Sequence, residues 1–230
     1  MITRGSKNFH RDTFLRRAQG FALCIYFISI HFESWDPFHL GIDYLVTKVT
    51  ITWYIFLSFL NFRGLKSIFF YRKFTFPITI IFCIECFSGY FNQKSNYTEY
   101  FSLILFLNIV VFYLMLIQSS TDHNAVRRAL NCYVIGGLVL SVFFILGIEV
   151  DSAFEEERVS LFGVNQNMLA VNLSVVLLII VHRLFDRLPI NQFLTIIYIT
   201  FIPVLIYFMA STGSRSGFMS LFTGLVVFLH

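Results

Sequence analysis

Two short stretches concentrate side chains that could hold an anion. The first is ERVSLFGVNQNMLA, from Glu157 to Ala170, in which Arg158 is followed by Gly163 and then by Asn165 and Asn167. The second is STGSRSG, from Ser211 to Gly217, with Thr212, Ser214 and Arg215. Each stretch leads into a long apolar run. A guanidinium presents a planar fork of N–H donors that matches phosphate oxygens. A helix N-terminus adds unpaired backbone N–H groups and partial positive charge. An arginine just ahead of a helix start therefore suits a phosphate, and asparagine amides beside it suit sugar hydroxyls. Each stretch alone also has a plainer reading. In the first, Gly163 turns the chain, an asparagine caps the helix and Arg158 pairs with Glu155, Glu156 or Glu157. In the second, a tight turn is capped by Thr212, Ser214 or Ser216, and Arg215 reaches toward the membrane interface. Gly213 and Gly217 have the spacing of a helix-packing pair, although Gly213 falls in the turn. What favours the functional reading is that the two stretches share a side-chain type and a helix-start context.

The elements that must position these residues are membrane helices. The chain has 230 residues, of which 57% are hydrophobic and 13% charged, with a mean hydropathy of +0.74. Soluble domains carry about a quarter charged residues, so a polytopic membrane protein is expected. A spanning helix needs about 20 mostly apolar residues. The expected fold is an all-α transmembrane bundle with about seven complete spans and an incomplete eighth. The spans read as Ala18–Trp35, Tyr44–Phe62, Phe74–Phe91, Tyr100–Ser119, Ala129–Ile148, Asn167–His182 and Ile190–Ala210, with the eighth from about Ser216. Residues 1–17 form a basic leader and 18–230 the membrane domain. The net charge of +4 lies in short clusters between apolar runs, which does not make a nucleic-acid surface.

Orientation follows from the positive-inside rule. The leader holds Arg4, Lys7, Arg11, Arg16 and Arg17, and alternate connections hold Arg63, Lys66, Arg72 and Lys73, then Arg127 and Arg128, then Arg183 and Arg187. These segments are expected in the cytoplasm. The intervening connections, including an outer loop at 149–166 and an outer turn at 211–216, are acidic or nearly neutral. Arg158 and Arg215 break the rule. Each precedes a helix expected to run from outside to inside.

RVSLFGVNQNMLA followed one hairpin later by STGSRSG resembles the O-antigen ligase family, which includes polymerases of surface polysaccharides. The matching residues are Arg158, Gly163, Asn165, Asn167 and Ala170, then Thr212, Ser214 and Arg215. A proline often stands between the two asparagines, where this chain has Gln166. The resemblance implies a metal-independent glycan transferase without cofactors, in the bacterial inner membrane with a cytoplasmic N-terminus. Its donor is a polyprenyl-diphosphate-linked glycan, and its acceptor is lipid A-core or another glycan. Arg158 and Arg215 are then the expected diphosphate ligands, with Asn165, Asn167 and Ser214 completing a diphosphate and glycan site. The resemblance also implies a catalytic histidine in a large outer loop downstream. None of His10, His31, His39, His123, His182 or His230 fits that role. The last helix, Gly217 to His230, would cover only about 21 Å of a ~30 Å apolar core, so a C-terminally truncated chain is expected.

A different class remains open. Glu85 is the acidic residue deepest in a predicted span, a functional candidate by default. With Asn108 it could serve a transporter in which Arg158 and Arg215 are only loop charges. Asn108 and Asn172 are otherwise expected to bond between helices. The cysteines Cys24, Cys83, Cys86 and Cys132 lie in apolar runs and read as small hydrophobes.

Overall fold

The computed structural model describes residues 4–35, 45–61, 80, 109–119, 122–148, 150–153, 158–162, 164–185 and 192–229. Their order is α1 (Arg4–Ser29), a 3-10 turn (Ile30–Phe32), α2 (Leu45–Leu60), α3 (Ile109–Ser119), α4 (His123–Leu146), β1 (Val150–Ala153), β2 (Arg158–Leu161), α5 (Gln166–Phe185), α6 (Gln192–Ser211) and α7 (Arg215–Leu229). Among the described residues, three stretches are long and apolar enough to cross a membrane: Asn124–Leu146, Gln166–Phe185 and Gln192–Ser211. The expectation of seven spans and part of an eighth exceeds what these helices establish. The apolar helices at Leu45–Leu60, Ile109–Ser119 and Arg215–Val227 are shorter. α1 begins at Arg4, so the basic leader and the apolar run of Ala18 share one helix. Apart from Ile80, the expected span Phe74–Phe91 with Glu85 lies outside the described residues, as do Asn108 and Gly163.

Local chemistry explains the helix starts. α4 begins earlier than its apolar run because the Asp122 carboxylate accepts the Ala125 N–H (3.1 Å), which caps the helix. Arg127 and Arg128 are thereby drawn into its first turns. One segment departs from an all-helical chain. Part of the expected outer loop folds as an antiparallel hairpin, with Val150 opposite Leu161 and Ala153 opposite Arg158. Strands of four residues are too short to show an alternating pattern in the sequence.

The chain divides into two compact units, residues 1–23 with 51–127, and residues 24–50 with 128–230. In the first, a buried polar network ties helices together. The Gln19 amide donates to Ser58 Oγ (3.0 Å) and accepts from Asn61 Nδ2 (2.7 Å). The Tyr54 hydroxyl donates to Gln118 Oε1 (2.9 Å). Such bonds specify partners where all surfaces are apolar.

In the second unit α5 is central. It buries Leu169, Ala170, Leu173, Ser174, Val176, Leu177 and Ile180 and packs against β2, α6 and α7. α7 lies closest. A Cβ on Gly217 would sit 2.5 Å from the Ala170 Cβ, and one on Gly224 would collide with the Leu178 side chain. Both contacts advance along the two helices in the same direction, so α5 and α7 run parallel and α6 returns between them. The helix-packing glycines are therefore Gly217 and Gly224, a heptad apart. Gly213 is instead exposed in the turn after α6, with φ 63°, the left-handed conformation that glycine adopts without strain. On the other flank of α5, the Tyr133 hydroxyl of α4 donates to Asn172 Oδ1 (3.1 Å). Phe144 of α4 stacks on Phe208 of α6, with ring centroids 4.1 Å apart and planes at 6°.

Candidate functional site

The starts of α5 and α7 lie side by side and are bonded to each other. Asn165 precedes α5, and its Oδ1 accepts the Asn167 N–H (2.9 Å) while its carbonyl accepts the Leu169 N–H (2.9 Å). This is the N-cap that the sequence suggests. At α7 the local chemistry differs. Thr212 turns back into α6, where its hydroxyl donates to the Met209 carbonyl (2.7 Å) and accepts the Ser214 N–H (3.3 Å). Ser214 stands at the N-cap position, yet its hydroxyl donates to Asn167 Oδ1 on α5 (2.8 Å). Ser214 Oγ also lies 2.7 Å from Ser216 Oγ. A serine has one hydroxyl proton, already given to Asn167, so Ser216 must be the donor of that second bond.

This relay has two consequences. Among the described residues, no side chain caps the first-turn N–H groups of Arg215, Ser216 and Gly217, so the α7 N-terminus keeps its donors and partial charge. The relay also occupies the Asn167 carbonyl oxygen and leaves its amide N–H groups as the free end. Asn165, Asn167 and Arg215 are all exposed, whereas Thr212 and Ser214 are buried beneath them. No described residue pairs with Arg215. The junction thus directs donors outward and holds most of its acceptors inward.

Of the residues singled out by sequence, Asn165, Asn167, Ser214 and Arg215 meet at this junction. Arg158 is the first residue of β2, paired through its backbone with Ala153. Ser216, which the sequence reads only as a possible helix cap, is the outer member of the relay. Phe162 carries no chemical signal in the sequence, yet it is buried at φ 54° just before the Asn165 cap.

A second polar centre in the same unit has the opposite character. His31 is 2% exposed. Its Nε2 lies 2.9 Å from the Tyr133 carbonyl, so that nitrogen carries the proton and donates. Nδ1 has no partner. The ring sits against α4 where two glycines make room. A Cβ on Gly136 would lie 2.6 Å from His31 Cδ2, and one on Gly137 would lie 3.4 Å from Cε1. The imidazole is enclosed by its neighbours and has almost no surface open to solvent.

Comparison with protein-family models, with curated proteins and with solved structures finds no match to this chain.

Proposed function

We propose that the chain is an O-antigen ligase-like membrane protein whose α5 and α7 N-termini bind the diphosphate of a polyprenyl-linked glycan. The observation that carries this reading is the Ser214–Asn167 bond (2.8 Å). It joins two stretches, 47 residues apart, that the resemblance assigns to one site.

In the proposed reaction an acceptor sugar hydroxyl attacks the anomeric carbon of the donor glycan. The bond from that carbon to the diphosphate breaks, and its electron pair leaves with the diphosphate. The hydroxyl proton goes to a general base, by the resemblance a histidine of an outer loop. Negative charge grows on the leaving oxygen. Fixed donors there stabilise the transition state, and one such donor in an enzyme site is worth about 10²–10³ in rate. Arg215 supplies the fork, the uncapped N–H groups of α7 add dipole and hydrogen bonds, and the Asn165 and Asn167 amides face diphosphate or sugar. Arg158 is proposed as a second cation, brought toward α5 by β2. Ligation to lipid A-core and polymerisation of repeat units share this donor chemistry.

The topology proposed with it has the N-terminus in the cytoplasm of a bacterium, seven spans and an eighth from α7, in the inner membrane. Its support is the alternation of Lys and Arg clusters between apolar runs and the parallel course of α5 and α7. That course places their N-termini on one side, as the outer loop and outer turn require.

Equilibrium binding of farnesyl diphosphate to the detergent-purified chain tests the reading. The expected result is saturable binding, displaced by inorganic diphosphate and weakened at least about tenfold by Arg215→Lys, because a point charge does not reproduce the bidentate fork. No binding by the wild type, or equal binding by Arg215→Lys, would overturn it.

A further inference from the structure

Among the described residues, Phe162 alone combines a side chain with positive φ (54°). A bulky residue in the left-handed region is disfavoured and persists only where its surroundings hold it. The surroundings here are three aromatic rings. Phe162 lies 6.0 Å from Phe32, 5.6 Å from Trp35 and 5.7 Å from Phe143, measured between centroids. Phe32 closes the cluster by meeting Trp35 at 5.8 Å and Phe143 at 6.1 Å. The rings come from the 3-10 turn after α1, the residues just beyond it, and α4. Phe162 is 7% exposed within them.

The backbone on either side leads directly to the junction of α5 and α7. The Val164 N–H donates to the Leu161 carbonyl (3.0 Å), so a backbone hydrogen bond spans Phe162. Leu161 and Val164 are both buried, so both partners of that bond are anchored in the core. Asn165 comes next, and its Oδ1 takes the N–H of Asn167, whose own Oδ1 takes the Ser214 proton.

We infer that Phe162 is a positioning residue for the proposed donor site. Its clamped ring holds the left-handed backbone at Phe162 that sets Asn165, and through Asn165 the direction of the Asn167 amide. The inference rests on the diphosphate reading of that junction. An ordinary core phenylalanine would affect stability alone, and Phe208 is the control because it is fully buried and stacked on Phe144 in the same unit.

The experiment compares Phe162→Leu, Phe162→Tyr and Phe208→Leu with the wild type in detergent. It reads farnesyl diphosphate affinity, the thermal midpoint and hydrogen exchange at the Asn167 amide. Phe162→Leu is expected to weaken binding about tenfold, the scale of losing one helix cap, and to speed exchange at Asn167. Phe162→Tyr, which keeps a ring, should retain wild-type affinity. Phe208→Leu should lower the midpoint with affinity and Asn167 exchange unchanged. If Phe162→Leu does not fold, Phe162→Met is read in the same way. Wild-type affinity in the Phe162 variants, with Arg215→Lys still defective, would overturn the positioning role and leave the donor site standing. A wild type that does not bind farnesyl diphosphate would overturn both.

Discussion

The α5–α7 junction and the His31 notch both place polar groups where helices come within a glycine's width, and they resolve the polarity in opposite ways. At the junction a buried serine bonds across the helices and the exposed residues around it keep donors for something outside. At the notch a histidine is enclosed, one nitrogen is satisfied by a helix carbonyl and the other by no described residue. Close approach alone therefore does not mark a site. What distinguishes the junction is close approach with unused hydrogen-bonding capacity that reaches solvent.

The largest test of this contrast lies in the glycines. Gly217→Leu would drive a side chain into the Ala170 Cβ at 2.5 Å and its carbonyl at 3.0 Å. Backbone movement is then required, and overpacking of this kind costs about 1–3 kcal/mol or more. The thermal midpoint should fall and farnesyl diphosphate binding should disappear. Gly136→Leu meets His31 Cδ2 at 2.6 Å and the Ile28 carbonyl at 3.2 Å, and it should destabilise by a similar amount. The fraction that remains folded should bind normally. Equal loss of binding by both variants would erase the distinction between the two regions.

Next comes Arg215→Lys. Because Arg215 is exposed and no described residue pairs with it, the thermal midpoint should not move while affinity falls about tenfold. A parallel fall in the midpoint would mean that the arginine serves folding.

Ser214→Ala removes one interhelical hydrogen bond, worth about 0.5–1.5 kcal/mol, and frees the Asn167 amide to rotate. A double-mutant cycle with Asn167→Ala, read by thermal or denaturant unfolding, should return a coupling of about that size. Additive effects would show that the two side chains act independently.

The smallest effect is expected at the notch. His31→Leu loses the bond to the Tyr133 carbonyl but also removes the unsatisfied Nδ1, which by itself costs about 1–3 kcal/mol. The two changes offset, so stability should shift by under about 1 kcal/mol, with diphosphate affinity unchanged. A much larger loss would show that Nδ1 has a partner.

Some of this was legible in the residues alone. Apolar runs separated by charged or small-residue breaks located α2, α4, α5, α6 and α7 to within a few residues, except where the Asp122 cap moved the start of α4. An asparagine cap before the apolar run was also expected, because a cap depends on neighbours two or three positions away, and the structure puts Asn165 in that place. The count of apolar runs also placed Arg158 and Arg215 ahead of helices expected to run the same way. The contacts of Gly217 with Ala170 and of Gly224 with Leu178 show α5 and α7 parallel.

What only the tertiary structure decided is which faces meet. Apolar helix surfaces are chemically alike, so sequence periodicity does not choose among partners. That choice depends on residues far apart in the chain whose shapes fit. It made Gly217 and Gly224 the packing pair instead of Gly213 and Gly217. It turned Ser214 from a cap into the donor to Asn167, enclosed His31 between glycines and held Phe162 at a positive φ against three rings. Local spacing determined where helices begin and which side their ends share, because those are short-range properties of the chain. The junction itself is a long-range property, and it exists because α7 has no side chain at Gly217 to hold it away from α5.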